Sequence, residues 1–211
     1  MVDPTDHTTF TIENSAVVLV DHQVGTIGWA GELTSQDQRD QLRMWVLVLA
    51  RFAKSAGIPV VLTSGQEDQA QGPMLPEFKD ILPQEHENRI QRTGVVNAWH
   101  DPAFVEAVRA TDKQNLIMAG VTTDVCLVPP ALSAKAEGFE VVALTDVSAA
   151  STGTAALNSR DLLHRAGIAL LTTAPMISGM LGDYSVPAAA GLFEAMAAEG
   201  VYDAFARGSL R

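Results

Sequence analysis

Short apolar runs recur along the chain: Ala16 to Val20, Ile58 to Leu62, Asn115 to Ala119, Val141 to Leu144 and Ile168 to Leu171. Runs this short and this continuously apolar predict strands buried on both faces, as in a parallel sheet. Between them the period changes. After Ser35, Leu42, Trp45, Val46, Leu49 and Phe52 recur at three- and four-residue spacing, which predicts a long amphipathic helix stopping near Gly57. Asp101-Pro102 ahead of Phe104, Val105 and Val108 marks another helix start. Further helices are predicted from Gly120-Val121-Thr122-Thr123-Asp124 through Cys126, Val128, Ala131, Leu132 and Ala134 to Gly138, over Ala155 to Ala166, and over Pro187 to Gly200. Arg89 to Val96 is a weaker strand candidate. The Gly- and Pro-rich stretch Thr63 to Pro83 reads as a loop-rich excursion whose tip covers a pocket. Alternating strands and helices predict an α/β fold of three layers, α/β/α, with a central parallel sheet and right-handed crossovers.

Neither an internal repeat nor a linker interrupts this pattern. The expectation is one domain over 1–211, with an N-terminal extension over 1–14 and a tail over 201–211. Tyr202 and Phe205 in that tail form a short amphipathic stretch suited to packing on the body or on a neighbouring subunit.

Composition narrows the partners. The 211 residues are 47% hydrophobic and 18% charged, too apolar for disorder and too interrupted by charge for a membrane span. A formal net charge of −11 repels nucleic acid and anionic lipid, leaving small molecules as the expected ligands. A single cysteine cannot close an internal disulfide, and Met1-Val2-Asp3-Pro4-Thr5-Asp6 lacks the basic and apolar regions of a signal peptide, so a cytoplasmic location is expected. The low charge fraction also fits a subunit that hides surface against copies of itself.

Cys126 follows a strand-to-helix junction, where free backbone N–H groups and the helix dipole lower a thiol's pKa and bind a developing oxyanion. Taken alone, a cysteine here reads first as a small buried hydrophobe. Asp21 ends the first strand, beside the one preceding Cys126, at the sheet edge where ligands bind. It reads as a base for the thiol, or as an N-cap or loop anchor. Arg92 reads as a cation favouring the thiolate, or as an ordinary ion-pair arginine. Gln23 and Asn97 are candidates for orienting a substrate and Trp99 for an apolar wall, with a turn-forming Asn97 and a packed Trp99 as the alternative. His7, His22, His86, His100 and His164 are scattered without ligand spacing, and no metal or other cofactor is expected. There is no G-x-G-x-x-G or P-loop; Gly25, Gly28 and Gly31 read as a mobile turn.

Three ordered segments, Val18-Leu19-Val20-Asp21-His22-Gln23, Arg92-Thr93-Gly94-Val95-Val96-Asn97-Ala98-Trp99 and Ala119-Gly120-Val121-Thr122-Thr123-Asp124-Val125-Cys126, resemble the isochorismatase-like cysteine hydrolases, especially their YcaC-like branch. The likeness spans roughly Ala16 to Leu171. It implies a triad of Asp21, Arg92 and Cys126, a non-proline cis peptide at Val121-Thr122, and an oxyanion hole formed by the Thr122 and Cys126 N–H groups. It also implies a homo-oligomer, an octamer by family likeness. Two departures matter. Arg92 stands where lysine is commoner in the family; arginine keeps its proton, so proton transfer falls on Asp21. The family's nicotinamidases carry an Asp-x-His metal pair after the second strand, whereas Thr63 to Gln71 holds no histidine.

The activity so implied is hydrolysis of a C–N bond in a small amide, ureide or carbamoyl compound through a thioester on Cys126. Isochorismate fits less well, because cleaving its vinyl ether needs no thiol. The competing expectation is a non-catalytic oligomer that binds a ligand or uses Cys126 as a redox-responsive thiol.

Overall fold

A computed structural model describes residues 10–208; residues 1–9, including His7, and residues 209–211 lie outside the described part. Six parallel strands form one sheet in the order β3-β2-β1-β4-β5-β6: β1 Ser15–Val20, β2 Val60–Gly65, β3 Ile90–Arg92, β4 Asn115–Gly120, β5 Glu140–Leu144 and β6 Ala169–Leu171. β1 pairs with both β2 and β4, so the strand order reverses between β1 and β4. Crevices at such reversals, outside the carboxyl ends of the strands, are where open α/β sheets bind ligands.

Side-chain parity builds the three layers. Val17 and Leu19 of β1 with Ile117 and Ala119 of β4 face one apolar cluster, which they share with the helices α2 (Gln36–Ala56), α8 (Thr173–Leu181) and α9 (Ala189–Ala198). Ala16, Val18 and Val20 with Leu116 and Met118 face the other, packed by α5 (Pro102–Ala110), α6 (Val128–Ala136) and α7 (Gly153–Arg165). Period-two alternation therefore feeds both faces of a strand that is apolar throughout. No helix among the described residues is long and apolar enough to cross a membrane.

The predicted long helix is α2. Ser35 and Gln38 close a capping box at its start, and Gly57, at φ 71°, ends it in the left-handed conformation. Other boundaries differ from expectation. β2 begins at Val60 and continues through Thr63-Ser64-Gly65, since Gly65 pairs with Arg92 and Thr63 with Ile90. Polar residues hold that strand end because β3 lies beside it, a neighbour invisible to local pattern. The excursion up to Pro83 is less loop-like than expected: α3 (Glu77–Ile81) buries Phe78 and Ile81, and α4 (Pro83–Glu87) follows. α8 was not anticipated; its run Met176-Ile177 with Pro175 and Gly179 lacks a clear helical period. In the tail, α10 (Val201–Ala206) turns Val201 and Ala204 inward and leaves Tyr202 and Phe205 exposed on this chain.

The stretch read as a mobile turn from Gly25, Gly28 and Gly31 begins as helix α1 (Val24–Trp29), in which a Cβ on Gly28 would meet nothing within 4 Å, whereas Gly25 and Gly31 are crowded. A Cβ on Gly25 would sit 2.0 Å from the Ala70 carbonyl oxygen, and one on Gly31 would sit 2.4 Å from that of Ser151. These glycines permit close backbone packing instead.

Candidate active site

Three strand ends converge on one crevice. β1 ends at Asp21, whose backbone takes φ 58°, a left-handed conformation rare outside glycine and commonest for Asn and Asp. The Thr26 hydroxyl donates to the Asp21 carbonyl at 2.5 Å and the Gln23 N–H donates to it at 2.7 Å, which holds the turn. β3 ends at Arg92. β4 ends at Gly120, after which the Val121-Thr122 peptide is cis and Thr123–Leu127 forms a π-helical turn carrying Cys126.

That turn is a correction to the expected helix, which starts as α-helix only at Val128. Pro129 and Pro130 lack N–H groups, so the Val125 and Cys126 carbonyls lose their α-helical donors and the chain widens just ahead of them. Gly120 lets the turn lie close to the sheet: a Cβ there would come within 3.1 Å of Leu127 and 3.2 Å of the Cys126 carbonyl carbon.

The side chains of Asp21, Arg92 and Cys126, the three that the family resemblance groups, face one crevice. Arg92 Nη2 forms a buried ion pair with Asp21 Oδ1. Its Nε donates to Thr63 Oγ1 at 3.0 Å, and Nη1 donates to the Val95 and Val96 carbonyls at 2.7 and 3.0 Å. Cys126 lines the same crevice, and the Asp21 carboxylate is near enough to act on its thiol. Together they lie at a cavity of about 310 Å³ that Thr26, Trp29, Gln66, Gln71, Val95, Val96, Thr122, Val125 and Ser151 also line.

Two expectations about this centre change. The thiol is raised well above its ordinary value: burial is the main cause, and the negative charge of Asp21 and its hydrogen bond to the thiol add to it. Arg92 and the Thr122 N–H directed at the sulfur pull the other way and are outweighed. The lowering expected from the strand-to-helix junction is not the net result for a residue only 8% exposed, where desolvation leads. The Cys126 N–H, expected as an oxyanion donor, instead donates to the Thr122 carbonyl at 2.7 Å within the turn. Among the described residues, the Thr122 N–H is the backbone donor that acts on the sulfur.

The three expected substrate contacts lie elsewhere. Gln23 is fully buried and clamps the end of β2: its Nε2 donates to the Gly65 carbonyl at 2.9 Å and its Oε1 accepts from Gly65 N–H at 3.0 Å. Asn97 caps the 3₁₀ turn Ala98–His100 by accepting from Trp99 N–H at 3.0 Å, and donates to Ser133 Oγ at 3.1 Å. Trp99 packs edge-on against Phe104 and Phe139 and donates from Nε1 to Glu137 at 2.8 Å. None of the three lines the cavity. Among those that do, Trp29 on α1, Val95 and Val96 after β3, and Val125 in the π-helical turn carried no periodic signal.

His22 turns into the core beside Phe78, and Nε2 bonds the Val147 carbonyl at 2.8 Å. A carbonyl only accepts, so Nε2 carries the proton; Nδ1 is buried without a partner in the described part. Burial lowers its pKa from 6.5 to about 4, against the raising effects of that hydrogen bond and of Asp21. The unfolded chain therefore binds this proton first as pH falls. The stability held above pH 6.5 is lost on the way down to about pH 4, by about 3 kcal/mol in all. Urea unfolding at successive pH values should show this loss in the wild type and a shallower one in His22→Gln. Identical slopes for the two would acquit His22.

A family model for the isochorismatase domain matches residues 15–175. The probable hydrolase YcaC of Escherichia coli K12 is 40% identical over 159 residues, covering 75% of this chain and 74% of the relative. The 1.8 Å crystal structure of the Escherichia coli ycaC gene product, an octameric hydrolase of unknown specificity, is similar with a TM-score of 0.80 and 33% identity, covering 93% of this chain and 97% of that one. YcaC from Pseudomonas aeruginosa, solved with hexane-2,5-diol and covalent acrylamide, gives a TM-score of 0.80 at 31% identity over 93% of this chain and 96% of that one.

Proposed function

The chain belongs to the isochorismatase domain family, a hydrolase family by its YcaC relatives, and on that premise we propose that it cleaves the C–N bond of a small amide, ureide or carbamoyl compound with Cys126 as nucleophile. The observation that carries this reading is the chain of contacts from thiol to carboxylate to guanidinium, Cys126 to Asp21 to Arg92, beside a cavity. A nucleophile hydrogen-bonded to a base that a third group orients is the arrangement covalent catalysis requires. The covalent acrylamide in the Pseudomonas aeruginosa relative supports a small amide-sized ligand.

In the resting state the proton sits on sulfur. As sulfur attacks the carbonyl carbon, Asp21 takes the thiol proton, and the Thr122 N–H faces the developing oxyanion. Collapse of the tetrahedral adduct breaks the C–N bond; Asp21 returns the proton to the departing nitrogen, and a thioester remains. Asp21 then takes a proton from water, the oxygen attacks the thioester carbonyl, and the leaving sulfur regains that proton. Arg92 keeps its own protons throughout and orients Asp21. Homo-oligomer formation, as in the octameric relative, and a cytoplasmic location complete the proposal; exposed Tyr184, Phe193, Tyr202 and Phe205 supply apolar surface for subunit contact.

The test is a panel of primary amides, ureides and carbamoyl compounds assayed for ammonia or amine release, with intact-mass measurement during turnover. At least one member should release nitrogen and show the acyl mass on the protein. Release of nitrogen without any covalent species under rapid quench would remove the thioester, and a silent panel would remove the hydrolase reading.

A further inference from the structure

We propose that the cavity selects uncharged substrates bearing a compact apolar group and rejects anionic ones, a reading that rests on the hydrolase function above and adds its substrate class. Arg92 is the sole cation lining the cavity in the described part of the chain. Its side chain is 2% exposed and its charge is paired with Asp21. Four of its five N–H groups already serve Thr63, the Val95 and Val96 carbonyls, and Asp21. A substrate carboxylate entering here would lose water, find no free counter-charge and face Asp21, which is unfavourable. Asp124, bound through its two oxygens to the Ser151 N–H and hydroxyl on the cavity wall, adds further negative charge.

The remaining polar groups are largely turned toward one another. Gln71 Nε2 donates to Gln66 Oε1 at 2.9 Å, and the Thr26 and Ser151 hydroxyls are held by the Asp21 carbonyl and by Asp124. Apolar surface fills the gap between them: Val95, Val125, Trp29 and Val96 lie 38%, 43%, 49% and 61% exposed around the same cavity. Hydrogen bonding to substrate is thereby concentrated beside Cys126 and Thr122, with an apolar wall around it. A neutral amide with its carbonyl at the sulfur and an alkyl or small aromatic group against the wall fits both halves.

Three alkylating agents of one chemistry test this without requiring turnover: iodoacetate, iodoacetamide and N-propyliodoacetamide. The second-order rate of Cys126 alkylation is measured by intact mass, each rate divided by that for 2-mercaptoethanol at the same pH. Iodoacetamide should exceed iodoacetate at least tenfold after this correction, and N-propyliodoacetamide should exceed iodoacetamide at least threefold. Val96→Lys, which adds a cation at the exposed rim, should raise the ratio of the iodoacetate rate to the iodoacetamide rate at least fivefold over the wild-type ratio. Corrected rates that are equal for iodoacetate and iodoacetamide, or higher for iodoacetate, overturn the charge selection; a slower N-propyl compound overturns the apolar wall. The amide panel separates the two levels: alkylation selectivity with no hydrolysis refutes the hydrolase reading alone, and hydrolysis indifferent to charge refutes the substrate class alone.

Discussion

Cys126→Ala is expected to lower kcat/KM on the best amide substrate by at least about 10⁴-fold, since removing a nucleophile that works as one unit with its base removes nearly the whole of covalent catalysis. The covalent species should vanish with it. Little of this loss is structural. Cys126 is a small side chain in a turn held by backbone bonds, including Cys126 N–H to the Thr122 carbonyl, which alanine retains. Stability should change by no more than about 1–2 kcal/mol from the lost sulfur contacts and hydrogen bond. Steady-state assay, rapid-quench mass measurement and urea unfolding on the same preparation read the three quantities. More than 1% residual turnover would show that sulfur is not the attacking atom.

Asp21→Asn is expected to act in two opposite directions on the same thiol. Turnover should fall about 10²- to 10⁴-fold, the usual contribution of a positioned general base. Alkylation of Cys126 by iodoacetamide should accelerate at neutral pH. The charge and the hydrogen bond of Asp21 both raise the thiol, so their removal leaves Arg92 and the Thr122 N–H to oppose burial, and the thiolate becomes easier to form. An alkylation–pH profile should therefore shift to lower pH while hydrolysis declines. If alkylation and hydrolysis decline together, proton acceptance by Asp21 outweighs the effect of its charge on the thiol's pKa. The variant also strands a buried guanidinium, so a loss of about 3–5 kcal/mol is expected. Removing both charges, Asp21→Asn with Arg92→Gln, should recover part of that stability and none of the turnover, which separates the catalytic effect from the folding effect.

The features of the site that could be read from sequence are those set by near neighbours. The apolar run before Asp21 and the one before Thr122 are visible as strands, so a carboxylate and a cysteine at strand ends follow. The likeness to isochorismatase-like hydrolases added Arg92 and the cis position of Val121-Thr122, which the structure places in the same crevice. The substrate contacts were misplaced for one reason: Gln23, Asn97 and Trp99 stand beside the motif residues in the chain, yet their partners come from Gly65, Ser133 and Glu137, far away in sequence. Proximity along the chain does not say into which layer a side chain turns.

The sequence by itself determined the alternation of strands and helices, the capped α2 with Ser35 and Gly57, and the place of Cys126 just beyond a strand end, because caps and periodicity act within a few residues. Tertiary structure decided the rest. The pairing of Gly65 with Arg92 brings the guanidinium to Asp21, and that neutralisation leaves the cavity without a free cation among the described residues. The state of the thiol is a sum over everything packed around it, in which burial and a carboxylate from another strand outweigh the local backbone. Desolvation and long-range charge have no signature in a run of letters, since both depend on which distant segments the fold brings within a few ångströms.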